Sequence, residues 1–183
     1  MKISQLPSPS TTVAEGYLKL IQDIEREILR VTAKLPENQL QCRPGCADCC
    51  CEFSVFSLEA VLIRDCIQGF FLSRVASPPG CCRFLQNSNC SIYASRPILC
   101  RTQGMPTGYV DPESTVVEVS ACPENFPEDF LFSKDTLFFM DEFNARLFER
   151  NREYCNMAKL CHQSRIQLAE IFFAHEKKAA RLL

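Results

Sequence analysis

Apolar residues near the start of the chain return every three or four positions. Tyr17, Leu20, Ile21, Ile24, Ile28, Val31 and Leu35 fall on one stripe, with Lys19, Gln22, Asp23, Glu25, Arg26 and Arg30 opposite. That period predicts an amphipathic scaffold helix from Val13 to Leu35, stopped by Pro36, with its polar side in solvent. Residues 1–12, MKISQLPSPSTT, carry two prolines and no apolar run, and are read as a disordered tail.

The period is lost at CRPGCADCCC (residues 42–51), where Pro44-Gly45 is turn chemistry and the cysteines are too dense for a core stripe. This is a loop built around something. Phe53 to Phe56 reads as a short extended piece. Ser57 then caps a helix through Leu58, Val61, Leu62, Asp65 and Cys66, with Gly69 placed to end it. Cys66 lies in that helical pattern and reads as a buried thiol. Further on, Cys82 to Leu85 and Cys90 to Tyr93 flank the polar turn Gln86-Asn87-Ser88-Asn89, the pattern of a small hairpin. Arg96 is held extended by the proline after it, and Pro97 to Arg101 forms one helical turn with proline first. Gly104 to Glu113 is loop, and Thr115 to Val119 is a strand leading to Cys122-Pro123.

From Ser133 to Leu183 there is no proline or glycine. Met140, Phe143, Leu147, Tyr154, Met157, Cys161, Leu168 and Phe172 recur on one face, so this segment is read as one long helix or two, with a break at Asn151. The expected fold is mainly α with a small irregular hairpin and strand region. A cysteine-rich, metal-nucleated core sits between N-terminal and C-terminal helices, all in one domain over residues 13–183.

Composition changes this picture in one respect. The 183 residues carry a net charge of −2, and no basic patch points to nucleic acid or an anionic membrane. No apolar stretch is long enough to span a bilayer, and the first residues do not read as a secretory signal, so a cytoplasmic protein is expected. Against that ordinary background stand 13 cysteines, 11 of them between Cys42 and Cys122. In a reducing compartment an odd total with adjacent runs (Cys49-Cys50-Cys51, Cys81-Cys82) points to metal binding rather than a disulfide framework.

No histidine lies between residues 42 and 122, so any metal there is held by thiolate. Thiolate suits zinc, an iron–sulfur cluster or Cu(I), whereas magnesium and calcium want oxygen. Cys42-x3-Cys46-x2-Cys49-Cys50 supplies tight turns that aim sulfurs at one ion. The later cysteines, Cys82, Cys90, Cys100 and Cys122, are spread over loop, hairpin and strand end, as in a centre that closes distant segments. The same region holds six arginines (Arg43, Arg64, Arg74, Arg83, Arg96, Arg101) and no lysine. Guanidinium groups of this kind suit the charge around a thiolate centre. Cys155 and Cys161 are six apart and do not share a helical face. With Cys66 they are read as core thiols, and His162 and His175 as ordinary helical residues. A zinc ribbon needs two CxxC knuckles, and a ferredoxin needs a run that only Cys122-Pro123 matches; neither template fits. The CxxxCxxC start also has the spacing of radical S-adenosylmethionine enzymes, but too little chain follows for their barrel.

The combination CRPGCADCC (42–50), CRFLQNSNCSIYASRPILCR (82–101) and CP (122–123) resembles the YkgJ-type cysteine-cluster proteins, the CxxCxxCC zinc- or iron-chelating domain family. The resemblance covers roughly residues 42–123. It implies Cys42, Cys46, Cys49, Cys50, Cys82, Cys90, Cys100 and Cys122 as metal ligands, with Arg96-Pro97 as the characteristic pair between them. Cys51 and Cys81 are extra beside the pattern and leave open which member of each run ligates.

The cofactor so implied is an iron–sulfur cluster or zinc, which spacing does not separate. The expected function is metal binding with a redox or accessory role. The alternative is a cluster-bearing oxidoreductase or methyltransferase-like enzyme acting on a protein partner. No glycine-rich nucleotide loop, catalytic triad or isolated carboxylate pair supports an identifiable catalytic constellation.

Overall fold

The computed structural model describes residues 2–42, 45–68 and 77–179. Arg43, Pro44, Gly69 and Arg74 therefore lie outside the described residues, and with them the expected stop at Gly69. Among the described residues there are five α-helices and seven short strands in three small sheets, a mainly helical protein with minor β structure.

Helix α1 (Thr11–Thr32) is the one the apolar stripe announces. The Ser10 side chain accepts a hydrogen bond from the Val13 N–H, satisfying one free donor of the first turn. Val13, Tyr17, Leu20, Ile21, Ile24 and Val31 are buried, and Ile24 and Val31 have no exposed surface. Each such side chain contributes about 1.5–3 kcal/mol of burial. The segment before α1 departs from the expected tail. Ile3–Gln5 form a 3-10 turn, and Ile3 and Leu6 are buried. The Arg64 guanidinium donates to the Ile3 and Leu6 carbonyls, and the Tyr154 hydroxyl donates to the Pro7 carbonyl. Two apolar side chains and three satisfied carbonyls are enough to dock a segment whose prolines alone read as disorder.

Strand β1 (Ser54–Phe56) runs directly into α2 (Ser57–Cys66), and β7 (Arg165–Gln167) directly into α5 (Leu168–Ala179). β1 and β7 pair antiparallel, Val55 opposite Ile166, so the two helices start side by side. The hairpin of β2 (Leu85–Gln86) and β3 (Asn89–Cys90) is as its sequence reads. Its turn residues Asn87 and Ser88 both have positive φ (49° and 60°), the backbone of a two-residue turn matching strand twist. Arg96 is extended at ψ 144°, and α3 (Ile98–Thr102) follows with Pro97 as its cap rather than its first residue.

The stretch 104–113 is not all loop. It contains β4 (Thr107–Val110), which pairs antiparallel with β5 (Val117–Ser120) and parallel with β6 (Phe138–Phe139). Thr115, expected to open the strand, has φ 58° and closes the preceding turn.

The C-terminal segment differs most from expectation. It holds a 3-10 turn (Lys134–Thr136), β6, α4 (Asp141–Ala158), β7 and α5, so it is not purely helical. The helical break is not at Asn151. That residue sits inside α4 with no exposed surface. Its Oδ1 accepts from the Leu58 N–H at 3.1 Å, and its Nδ2 donates to the His162 carbonyl at 2.8 Å. A polar residue that seemed to interrupt the helix instead caps α2 from outside. The real end is Lys159 in the left-handed region (φ 56°), with the Leu160 N–H closing onto the Cys155 carbonyl. Met157 and Cys161, which belonged to the presumed apolar face, are exposed at that break.

Two apolar clusters result. One joins α1, α2 and α4 around Tyr17, Ile24, Leu58, Leu147 and Tyr154. The other joins Ile3, α2, α5 and the segment around Phe84 and Ile92, and it includes Cys82.

Candidate functional site

Seven of the eight expected ligands, Cys42, Cys46, Cys49, Cys50, Cys82, Cys90 and Cys100, line one cavity of about 500 Å³. Segments far apart in sequence build it. Cys42 and residues 45–50 form one wall, and β3 and α3 bring Cys90 and Cys100. Cys82 arrives because the Cys82 N–H donates to the Cys50 carbonyl at 2.9 Å. Cys122 lines a neighbouring cavity of about 430 Å³, in which Cys49 also takes part. All 13 cysteines are free thiols. Among the described residues no group of three or more His, Cys, Asp or Glu side chains is drawn to the spacing that grips a metal ion. The thiols share walls without converging on a common point.

Electrostatics sorts them into two neighbourhoods. The Cys50 thiol is pushed up to about 12, first by burial and then by negative charge on Cys49, Cys90 and Cys82. Burial likewise raises Cys82 to about 11, opposed by the Phe84 N–H and reinforced by Glu52 and Cys90. Cys100 is raised by burial, then by Cys82, Cys90 and Cys50. Cys90 is raised by burial, opposed by the Ile92 N–H and the Arg96 charge. These four thiols lie within each other's field. Cys49 is raised by burial, and the thiols that add to the shift are Cys42 and Cys46. Cys49 joins the two neighbourhoods, because it raises Cys50 more than any other thiol does and the two side chains are hydrogen-bonded.

The second neighbourhood is tied together by Asn125, which sequence reading missed. It is 2% exposed. Its Nδ2 donates to the Gly104 carbonyl at 2.7 Å and to Cys42 Sγ at 3.4 Å, while its Oδ1 accepts from the Gln41 N–H at 2.8 Å. Its own N–H donates to the Cys122 carbonyl, and its carbonyl accepts from the Gln39 side chain. One buried amide therefore fixes the Cys42 and Cys122 segments together. The only local hint was an amide three residues after a cysteine, in a turn.

Gly104 is required beside it. It has φ +86°, and a Cβ there would stand 2.5 Å from Cys42 Sγ. Gly104→Ala is expected to cost about 1–2 kcal/mol for the left-handed backbone alone, and to push the Cys42 sulfur aside as well. Urea unfolding checks the first effect, and a slower or faster Cys42 alkylation rate the second; an unchanged midpoint would contradict it.

Beneath the cavity, Glu59 is 4% exposed on α2. Its carboxylate accepts from the Ile98 N–H at 2.9 Å and from the Tyr17 hydroxyl at 3.3 Å, so it holds the start of α3, the helix that carries Cys100. Burial pushes its carboxyl above the ordinary range, partly offset by these donors.

The arginines divide. Arg64 pairs with Asp65, Arg83 with Glu52, and Arg101 with Glu25 at 2.7 Å. Arg96 lines the cavity and stacks on Tyr93 at 3.7 Å, and its buried Nε and Nη1 have no hydrogen-bond partner among the described residues. A buried guanidinium in that condition calls for negative charge. Of the three cysteines expected in the core, only Cys155 is buried, with its thiol 3.6 Å from Asn151 Oδ1. Cys66 and Cys161 are exposed, because Cys66 lies on the outer side of α2 and Cys161 falls beyond the end of α4.

The donor atoms are of the kind that holds a metal as thiolate, although among the described residues they are not drawn to metal spacing. The set is all sulfur, its thiols are free, and beside it stand the Arg96 guanidinium and an amide N–H at sulfur. A bound cation would also offset the cost that burial places on ionising Cys50, Cys82 and Cys100. Compared with known proteins, the chain matches no family model, no curated protein and no solved structure. Among the described residues no helix is long and apolar enough to cross a membrane.

Proposed function

We propose that this is a YkgJ-type cysteine-cluster protein that holds zinc or an iron–sulfur cluster through Cys42, Cys46, Cys49, Cys50, Cys82, Cys90, Cys100 and Cys122. The observation that carries this reading is the meeting of seven of these thiols, drawn from loop, hairpin and helix, on one cavity. The ligands divide into Cys50, Cys82, Cys90 and Cys100 on one side and Cys42, Cys46, Cys49 and Cys122 on the other, two sets of four. Arg96 supplies positive charge beside the first set, and Asn125 a hydrogen-bond donor to the second. A thiolate-held zinc closed by four sulfurs would tie the segments together, while an iron–sulfur cluster would add the capacity to take up and release electrons. The role is redox or accessory, in the cytoplasm, where the thiols stay reduced.

Chain purified without oxygen is expected to contain stoichiometric metal. Elemental analysis, acid-labile sulfide and the visible spectrum check this. Brown protein with sulfide identifies a cluster, colourless protein with zinc a zinc centre, and folded protein without metal would sink the proposal. The reading as an enzyme working on a protein partner gains support from one feature, the 430 Å³ cavity opening beside Cys49 and Cys122.

A further inference from the structure

Cys51 and Cys81 are extra to the cysteine pattern, yet they are not left over at random. Their Cα atoms are direct partners in an isolated antiparallel bridge. The bridge is made by its neighbours: the Cys82 N–H donates to the Cys50 carbonyl at 2.9 Å, and the Glu52 N–H to the Gly80 carbonyl at 3.3 Å. Cys51 and Cys81 therefore form the non-hydrogen-bonded kind of cross-strand pair, in which Cα atoms approach to about 4.5 Å. That separation lies at the short end of the roughly 4.4–6.8 Å a disulfide spans. The turn before Cys81 is fixed by Pro78 and Gly80, the latter at φ +80°, with the Cys81 N–H closing onto the Pro78 carbonyl. Cys51 is exposed and Cys81 half-buried, and both are free.

We propose that Cys51, which also lines the cysteine cavity, and Cys81 form a cross-strand dithiol that closes to a disulfide by exchange with a low-molecular-weight disulfide. The proposal does not depend on which metal the cavity takes. In the first step the exposed Cys51 sulfur attacks one sulfur of the small disulfide. A Cys51–S bond forms, the S–S bond of the reagent breaks, and one thiolate leaves and takes up a proton. In the second step the Cys81 sulfur attacks the Cys51 sulfur and expels the other small thiol, which carries away the Cys81 proton. The protein loses two electrons, and the small disulfide is reduced to two thiols. The new bond ties the 49–52 loop to the 80–83 segment, which holds Cys50 and Cys82 side by side.

The test uses the whole chain, purified without oxygen and exposed to rising ratios of oxidised to reduced glutathione. Free thiols are then alkylated and linkages located by peptide fragmentation. Cys51–Cys81 is expected to be the first disulfide to appear, with two free thiols lost per chain. It is expected to vanish in Cys51→Ser and in Cys81→Ser and to persist in Cys66→Ser. Cys81→Ser is also expected to accumulate a glutathione adduct at Cys51. A first linkage joining other cysteines, one that survives either serine substitution, or no disulfide at any ratio would overturn the proposal.

Discussion

Cys100→Ser is expected to empty the Cys50, Cys82, Cys90 and Cys100 set while metal at the other set remains. Cys100 lines the same cavity as Cys50, Cys82 and Cys90, and its thiol is raised by burial and then by all three of them. It is also the one delivered by α3, whose first N–H is held by the buried Glu59 carboxylate. Metal binding and folding are coupled when ligands come from distant segments. A site weakened a thousandfold forfeits about 4 kcal/mol of stabilisation, which for a chain of this size lowers Tm by about 8–16 °C. Metal content per chain and calorimetry of the same samples read both effects. The exposed Cys66, on α2 and away from the cavity, supplies the control, and Cys66→Ser is expected to change neither. Equal metal content in Cys100→Ser and the parent chain would remove Cys100 from the ligand set.

The second large effect is structural. Asn151→Ala leaves the Leu58 N–H and the His162 carbonyl without partners at a position with no exposed surface. Each unsatisfied buried group costs about 1–3 kcal/mol. The variant is expected to lose roughly 2–5 kcal/mol, with a Tm fall of about 4–20 °C at this chain length. Asn151→Asp keeps the acceptor but brings a charge and loses the donor, and is expected to be no better. Asn144→Ala, on the exposed side of the same helix, should stay within about 0.5 kcal/mol of the parent. A urea midpoint for Asn151→Ala matching that of Asn144→Ala would show that the two bonds contribute nothing.

These two residues also mark where sequence reading succeeds and where it fails. Cys100 stands in C-x-IY-x-x-RP-x-x-CR, which places it with the clustered cysteines rather than the core thiols, and it does line the shared cavity. Asn151 was misread, because an asparagine in a helical run looks like a break until its partners on α2 and beyond α4 are known. Asn125 was not seen at all, since a buried amide serving three segments leaves no periodic trace. Cys66 misled for the opposite reason: its spacing fits an apolar stripe, but it falls on the side of α2 that nothing covers.

Local pattern by itself determined α1, the Asn87-Ser88 hairpin, the extended Arg96 before Pro97 and the all-sulfur character of the donor region. Each depends on residues a few positions apart, where period, turn chemistry and side-chain type act directly. Only the tertiary structure decided that seven cysteines from remote segments line one cavity, that Cys51 stands across from Cys81, and that α4 ends at Lys159 and not at Asn151. Those outcomes depend on backbone pairing and buried hydrogen bonds between segments remote in sequence. Which side of an extended residue is buried, or whether a polar side chain is satisfied, has no value until the partner segment is in place.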